Sequence, residues 1–304
     1  MTRLSLTLGA VLLASSVATQ AQQRADEALR INEIADIPFA EVDGQVLALD
    51  LYLPADVANP PLLVWVHGGG WSRGARKPVS TLAFVEDGYA MASVDYRLSG
   101  DAPFPAQVFD IKAAIRFLRA EAGAYGYDAS RIAILGVSAG AHLAALAATT
   151  NGDPRLEGSV GDYLDQSSDV VAAVSYFGAS DLTTILDQST PFGLGIRVPG
   201  LEALLGGSID ERAELARLAS PVFQVDAGDP PLLLLHGDQD PQMPINQSHE
   251  LQGAYEALGL DVHFEVVHGA KHGGKQFFDA ERTALVEAFL DRNLRAELQT
   301  SRTR

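Results

Sequence analysis

Residues 132–146 read IAILGVSAGAHLAAL, and this stretch decides the fold prediction. A short apolar run at 132–135 passes directly into GVSAG at 136–140, and an Ala-rich segment with helical spacing follows to residue 148. A serine between two glycines at a strand-to-helix turn matches the G-x-S-x-G arrangement, in which a strained turn presents the serine hydroxyl. A Cβ at either glycine would collide with the neighbouring strand or helix. The stretch therefore predicts Ser138 as a nucleophile.

A second glycine motif, HGGGW at residues 67–71, directly follows the apolar run at 62–66. Three consecutive glycines let the backbone turn its N–H groups inward and approach a ligand closely. Acyl transfer needs such donors for the oxyanion of its tetrahedral intermediate. We therefore expect Gly69 and Gly70 to donate, with the N–H of Ala139 completing the hole; the residues alone fix the donating glycine to within one position.

A nucleophilic serine needs a general base and an orienting carboxylate, and two later segments offer them. The apolar run at 232–235 leads to Asp238 and Asp240, and we favour Asp240 because the Pro-x-x-Pro after it stiffens the turn that presents it. The run at 262–267 leads to His268 and His272. We favour His272, since the two glycines after it permit close packing against the serine. The order Ser, Asp, His follows that of G-x-S-x-G hydrolases.

The rest of the chain alternates short apolar runs with amphipathic segments, a pattern typical of an α/β protein with a parallel sheet. Residues 34–53 alternate around Asp43-Gly44, which predicts an antiparallel hairpin at the start. We predict a mostly parallel, doubly wound sheet with antiparallel N-terminal strands. Residues 180–228 lack a strand pattern and are expected to form a small cap insertion over the carboxyl edge of the sheet, where ligands bind. Residues 22–304 are predicted to be a single domain.

The N-terminus is typical of a signal peptide. Arg3 precedes an apolar stretch at 4–14 that is too short to span a bilayer, and small residues at 19 and 21 suit cleavage after Ala21. We therefore predict a signal peptide at 1–21, a periplasmic or secreted protein, and no membrane span.

Composition excludes several other classes of function. The chain has 304 residues, a net charge of −17 and no cysteine, so thiolate metal sites and a cysteine nucleophile are excluded. The acidic balance argues against a nucleic acid partner. Neither an H-E-x-x-H, a P-loop nor a G-x-G-x-x-G occurs, so we expect no metal and no cofactor.

The combined motifs resemble the HGGG branch of the α/β-hydrolases, which includes hormone-sensitive-lipase-like carboxylesterases. The resemblance is closer still to bacterial feruloyl and acetyl-xylan esterase-like hydrolases. The segments that carry it are HGGGW (67–71), DYRLS (95–99), FPAQVFDIKAAIRFLR (104–119), YGYDASRIAILGVSAGAHLAAL (125–146), HGDQDPQMP (236–244) and HGAKHGG (268–274).

This resemblance implies the α/β-hydrolase fold and a serine carboxylic-ester hydrolase. Its expected substrates are small or polysaccharide-linked esters of acetyl or feruloyl type, cleaved through an acyl-enzyme. It supports Ser138, Asp240 and His272 as the triad and implies structural roles for Asp95 and Asp110. An amide-cleaving hydrolase of exopeptidase or formamidase type stays open. A non-catalytic binding protein is less favoured, because all three triad positions are filled.

Overall fold

The computed structural model of the chain describes residues 30–295, so the predicted signal peptide lies outside the described residues. The described part contains one eight-stranded sheet, in the order β1-β2-β4-β3-β5-β6-β7-β8. Its strands are β1 (Ile31–Val42), β2 (Gln45–Pro54), β3 (Pro61–Val66), β4 (Ala90–Val94), β5 (Asp128–Val137), β6 (Ala172–Tyr176), β7 (Leu232–Gly237) and β8 (Val262–Val267).

The sheet is antiparallel only at its N-terminal edge. β1 and β2 form a hairpin whose turn is Asp43-Gly44, with φ of 52° and 82° at the two residues. Positive φ at both central residues is typical of a type I′ turn, whose twist matches the right-handed twist of the two strands it joins. β2 pairs antiparallel with β4, and all remaining neighbours are parallel. The predicted mixed sheet with antiparallel N-terminal strands is confirmed.

Helices cover both faces of the sheet, as a doubly wound arrangement requires. They are α1 (Ala83–Glu86), α2 (Ala106–Ala120), α3 (Ala122–Tyr125), α4 (Ala139–Ala148), α5 (Pro154–Glu157), α6 (Ile185–Gln188), α7 (Pro191–Leu205), α8 (Ala213–Leu218), α9 (Asn246–Ala257) and α10 (Ala280–Leu294). Side chains of β3 alternate between the two cores. Leu62 and Val64 pack with α2 and α4, whereas Leu63 and Trp65 pack with α1 and α10. Because both faces of this strand are buried, its sequence is continuously apolar.

The segment between β6 and β7 holds three α-helices, α6 to α8, of which two are short, and a 3-10 helix at Pro221–Phe223. Within residues 180–228, for which the sequence pattern predicted no strand, α7 runs for 15 residues. Gly193, Gly195 and Pro199 lie within it, and such residues are unfavourable in helix interiors, so the sequence pattern hides the helix. The segment contacts the carboxyl edge of the sheet, where Thr190 donates its hydroxyl proton to the carbonyl oxygen of Pro241 in the loop after β7.

All the loops that carry the predicted site residues leave the sheet at one edge. Residues 67–71 follow β3, Ser138 follows β5, Asp240 follows β7 and His272 follows β8. Since these four strands are parallel, their carboxyl ends meet at this edge, which is where open α/β sheets bind ligands. Among residues 30–295, no helix is long and apolar enough to cross a membrane.

Candidate active site

Ser138 lies on a strained turn between β5 and α4. Its φ of 54° and ψ of −118° are unusual for a residue with a side chain, and such backbone strain costs of the order of 1–3 kcal/mol. The two flanking glycines make the turn possible. A Cβ on Gly136 would lie 2.3 Å from the carbonyl oxygen of Gly140, and a Cβ on Gly140 would lie 2.2 Å from that of Val66. The predicted collision with strand and helix is therefore present at both positions.

The structure brings the three predicted triad side chains into one hydrogen-bonded line. Ser138 Oγ lies 2.8 Å from His272 Nε2, and His272 Nδ1 lies 2.6 Å from Asp240 Oδ2. The carboxylate accepts the proton of Nδ1, so Nε2 is left with a lone pair that accepts the hydroxyl proton. This arrangement can remove the proton of Ser138 as the oxygen attacks an electrophile.

Asp240 is held by more than its contact with His272. Its Oδ1 accepts hydrogen bonds from the backbone N–H groups of Gln242 and Met243, at 2.8 and 2.9 Å. Burial by itself would raise the pKa of the Asp240 carboxyl. Hydrogen bonds from His236 and His272 outweigh burial and hold that pKa well below its usual value. Asp240 is therefore a buried carboxylate that stays ionised.

The competing residues Asp238 and His268 form a pair of their own. Asp238 accepts hydrogen bonds from the N–H of Gly269 and from His268 Nδ1, at 2.7 and 2.9 Å. The imidazole of His268 is exposed. This pair ties the loop after β7 to the loop after β8, and neither side chain takes part in the hydrogen-bonded line to Ser138.

The glycine loop after β3 passes directly beside the serine turn. A Cβ on Gly68 would lie 2.9 Å from the carbonyl oxygen of Val137 and 3.4 Å from Cβ of Ser138, so only glycine allows this approach. Gly69 and Gly70 have φ of 121° and 60°, and Trp71 continues at 60°. The loop therefore passes the serine turn at Gly68, and donation by Gly69, Gly70 and Ala139 to an oxyanion stays a prediction.

His67 begins this loop without reaching the serine. Its Nδ1 bonds the carbonyl oxygen of Gly68 at 2.7 Å, and its ring stacks on Tyr96 with the centroids 4.3 Å apart. Tyr96 in turn donates its hydroxyl proton to the carbonyl oxygen of His67. His67 therefore shapes the glycine loop and takes no part in the hydrogen-bonded line to Ser138.

His142, to which the sequence assigned no role, supports the glycine loop through a hydrogen bond with Trp71. Trp71 Nε1 donates to His142 Nδ1 at 3.1 Å, and His142 Nε2 donates to the carbonyl oxygen of Ala219 at 2.7 Å. Burial lowers the pKa of His142 to about 4, so the ring is neutral at pH 7 and can accept from the indole. The available signal was position: His142 lies four residues after Ser138, one helical turn along α4.

The two other aspartates of the matched motifs are bound in ion pairs away from the serine. Asp110 accepts a forked pair of hydrogen bonds from Arg97, at 2.9 and 2.7 Å. Asp95 pairs with Arg76 in the loop that follows Trp71. Among the described residues, no group of three or more histidines and carboxylates is placed to hold a metal ion.

The chain matches the BD-FAE family over residues 49–255. Esterase LipQ of Mycobacterium tuberculosis is 33% identical over 234 residues, which cover 75% of this chain and 53% of LipQ. The chain spans about half to three fifths of the length of LipQ and two further mycobacterial relatives.

Solved structures share the fold over nearly the whole described chain. A truncated form of carbohydrate esterase from gut microbiota is 30% identical, with a TM-score of 0.78 over 88% of this chain and 97% of that one. The propionate-bound esterase Est2 of Thermogutta terrifontis is 26% identical, with a TM-score of 0.69 over 87% of this chain and 94% of that one. Because the family match spans more than half of its residues, the chain belongs to the BD-FAE family of α/β-hydrolases.

Proposed function

We propose that the protein is a serine carboxylic-ester hydrolase that works through an acyl-enzyme on small or carbohydrate-linked esters. The observation that carries this proposal is the unbroken line from Ser138 Oγ through His272 to Asp240, with separations of 2.8 and 2.6 Å. Ser138 is the nucleophile, His272 is its general base, and Asp240 orients the imidazole of that base. The three side chains lie at the carboxyl edge of the sheet, where ligands bind.

In the first half of the reaction, Ser138 Oγ attacks the ester carbonyl while His272 Nε2 takes its proton. Asp240 keeps Nδ1 protonated and stabilises the imidazolium that forms. The N–H groups of Gly69, Gly70 and Ala139 receive the oxyanion. Such donors contribute about 3–4 kcal/mol each in measured enzymes, because they are already oriented before charge develops.

In the second half, His272 returns the proton to the leaving alcohol, and the acyl group stays on Ser138. Water then attacks the acyl-enzyme with His272 again as base, which regenerates the serine.

The proposed substrates are acetyl or feruloyl esters, carried by a small molecule or a polysaccharide. Support comes from two relatives: one solved structure is described as a carbohydrate esterase, and Est2 is described with propionate, a short carboxylate of the size of an ester product. The amide alternative has no comparable support among these relatives.

The test replaces Ser138 with alanine and measures hydrolysis of 4-nitrophenyl acetate, acetylated xylan and methyl ferulate. We expect Ser138→Ala to lower kcat by roughly 10⁴-fold or more, as removal of a triad nucleophile does elsewhere. The control is Ser159→Ala, at an exposed serine, which should match the wild type. Unchanged turnover in Ser138→Ala, with its fold intact by circular dichroism, would refute the mechanism. Faster cleavage of aminoacyl 4-nitroanilides than of every ester would favour the amide alternative.

A further inference from the structure

Arg197 of α7 is a buried cation without a hydrogen-bonding partner. It is 2% exposed, and its Nε and Nη1 atoms are buried and make no hydrogen bond to a described residue. Another arginine with the same exposure, Arg116, differs because its guanidinium pairs with Glu157 and donates to the carbonyl oxygen of Val160. Buried charges in proteins are normally paired, so an unpaired guanidinium calls for a physical account.

The helix that carries Arg197 contacts two loops of the candidate active site: the loop after β7 that carries Asp240, called here the acid loop, and the glycine loop at residues 67–71. At its start, Thr190 donates its hydroxyl proton to the carbonyl oxygen of Pro241, one residue after Asp240. Towards its end, a Cβ on Gly200 would lie 4.0 Å from the carbonyl oxygen of Gly70. Arg197 lies between these two contacts, so its side chain belongs to the region between the acid loop and the glycine loop.

The guanidinium is held in place by an aromatic ring. Its Cζ lies 5.7 Å from the ring centroid of Trp71, within the range of a cation–π contact. Such a contact fixes the side chain while leaving N–H donors free, because it uses the face of the ring and no acceptor atom. Trp71 is in turn fixed by its hydrogen bond to His142.

Asp240 is near enough to act on Arg197 but does not neutralise it. Burial lowers the pKa of Arg197, and the Asp240 carboxylate opposes this effect. The oxygens of Asp240 are already occupied by His272 and by the N–H groups of Gln242 and Met243. The arginine therefore has an anion nearby, but its buried Nε and Nη1 atoms make no hydrogen bond to Asp240 or to any other described residue.

We propose that Arg197 binds a carboxylate of the substrate, so that the preferred ester carries an acidic group close to the bond that is cleaved. This inference rests on the proposed ester hydrolysis and adds a substrate class to it. A carboxylate would accept the unused N–H donors and neutralise the buried charge, and arginine binds carboxylates more specifically than other cations do.

The test uses two matched pairs of esters. Ethyl butyrate and monoethyl succinate differ by a carboxylate on the acyl side, whereas phenyl acetate and 4-acetoxybenzoate differ by one on the alcohol side. For at least one pair, Arg197→Met should lower kcat/KM of the acidic member by roughly 10- to 100-fold more than that of the neutral member, the range for a charge-assisted hydrogen bond. Arg197→Lys should retain part of the preference, since it keeps the charge and loses the planar fork.

The matched control is Arg217→Met, at an exposed arginine of the same segment that also stacks on an aromatic ring, that of Phe223. It should leave all four rates unchanged.

The proposal is overturned if Arg197→Met slows both members of each pair equally, or if the wild type rejects the acidic member of both pairs by tenfold or more. If Arg197→Met does not fold, Arg197→Lys and the wild-type preference decide the question. Failure of the proposed function looks different, because the wild type would then hydrolyse neither neutral ester.

Discussion

Replacing Gly140 with alanine adds one methyl group where α4 meets the end of β3. A Cβ at this position would lie 2.2 Å from the carbonyl oxygen of Val66 and 2.4 Å from that of His67. Real Cβ atoms essentially never approach other atoms below 3.0 Å, so α4 and the strand must separate by about 1 Å. Gly140 does not have a positive φ, so the substitution tests this collision without adding backbone strain.

The separation moves Ser138 relative to the glycine loop, because Ser138 directly precedes α4 whereas the glycine loop directly follows β3. Overpacking of this kind costs about 1–3 kcal/mol of stability, and misplacing reacting groups by about 1 Å can cost roughly 100-fold in rate. We therefore expect Gly140→Ala to lose about 100-fold in kcat/KM while the protein still folds. A loss of rate in a sample that is still fully folded under the assay conditions identifies the geometry of the site as the cause.

The assay is hydrolysis of 4-nitrophenyl acetate together with urea unfolding of the same samples. Gly253→Ala is the control, since Gly253 lies inside α9 and a Cβ there meets no atom within 4 Å. It should keep full activity and gain about 0.5–1 kcal/mol, the difference in helix propensity between glycine and alanine. A Gly140→Ala protein with kcat/KM within twofold of wild type and an unchanged unfolding midpoint would refute the steric argument.

Two further predictions concern buried groups around the serine. Asp240→Asn should lower kcat by roughly 10⁴-fold: its amide oxygen stays with the two backbone N–H donors, so its NH₂ group faces His272 Nδ1 and imposes the wrong tautomer. A normal rate at pH 8 would contradict this assignment. The second concerns His142, whose pKa is lower in the folded state than the unfolded value of 6.5, so the unfolded state binds its proton first as pH falls. Between pH 6.5 and about 4 this linkage removes about 3 kcal/mol from the free energy of unfolding. His142→Gln cannot titrate and should lose that slope in urea unfolding measured across the range, whereas an unchanged slope would disprove the linkage.

The sequence predicted well the elements whose structure depends on residues close together in the chain. The serine turn, the Asp43-Gly44 hairpin and the continuously apolar strands each carry their signal within about ten residues, because turn geometry and burial on both faces dictate the residue types directly. The alternation of strand and helix then follows, because consecutive parallel strands need a crossover connection, which is usually a helix.

Helix α9 was not predicted, because half of its buried positions are polar. In α9, the buried residues are Gln247, Ser248, Leu251 and Tyr255, so half of the inward face is polar. Gln247 is accepted in the interior because it receives hydrogen bonds from the N–H groups of residues 180 and 181. Those partners are more than sixty residues away in the chain, so a local pattern does not reveal them.

The sequence by itself determined the residue types of the site, their order along the chain and the edge of the sheet at which they gather. It favoured Asp240 and His272, but Asp238 and His268 stayed as alternatives, since all four follow strand ends. Only the tertiary structure paired Asp240 with His272 and Asp238 with His268, joined His142 to Trp71 and placed Arg197 between the two loops. Local sequence encodes turns and burial, whereas these contacts depend on the separation of side chains that meet only when distant segments pack together.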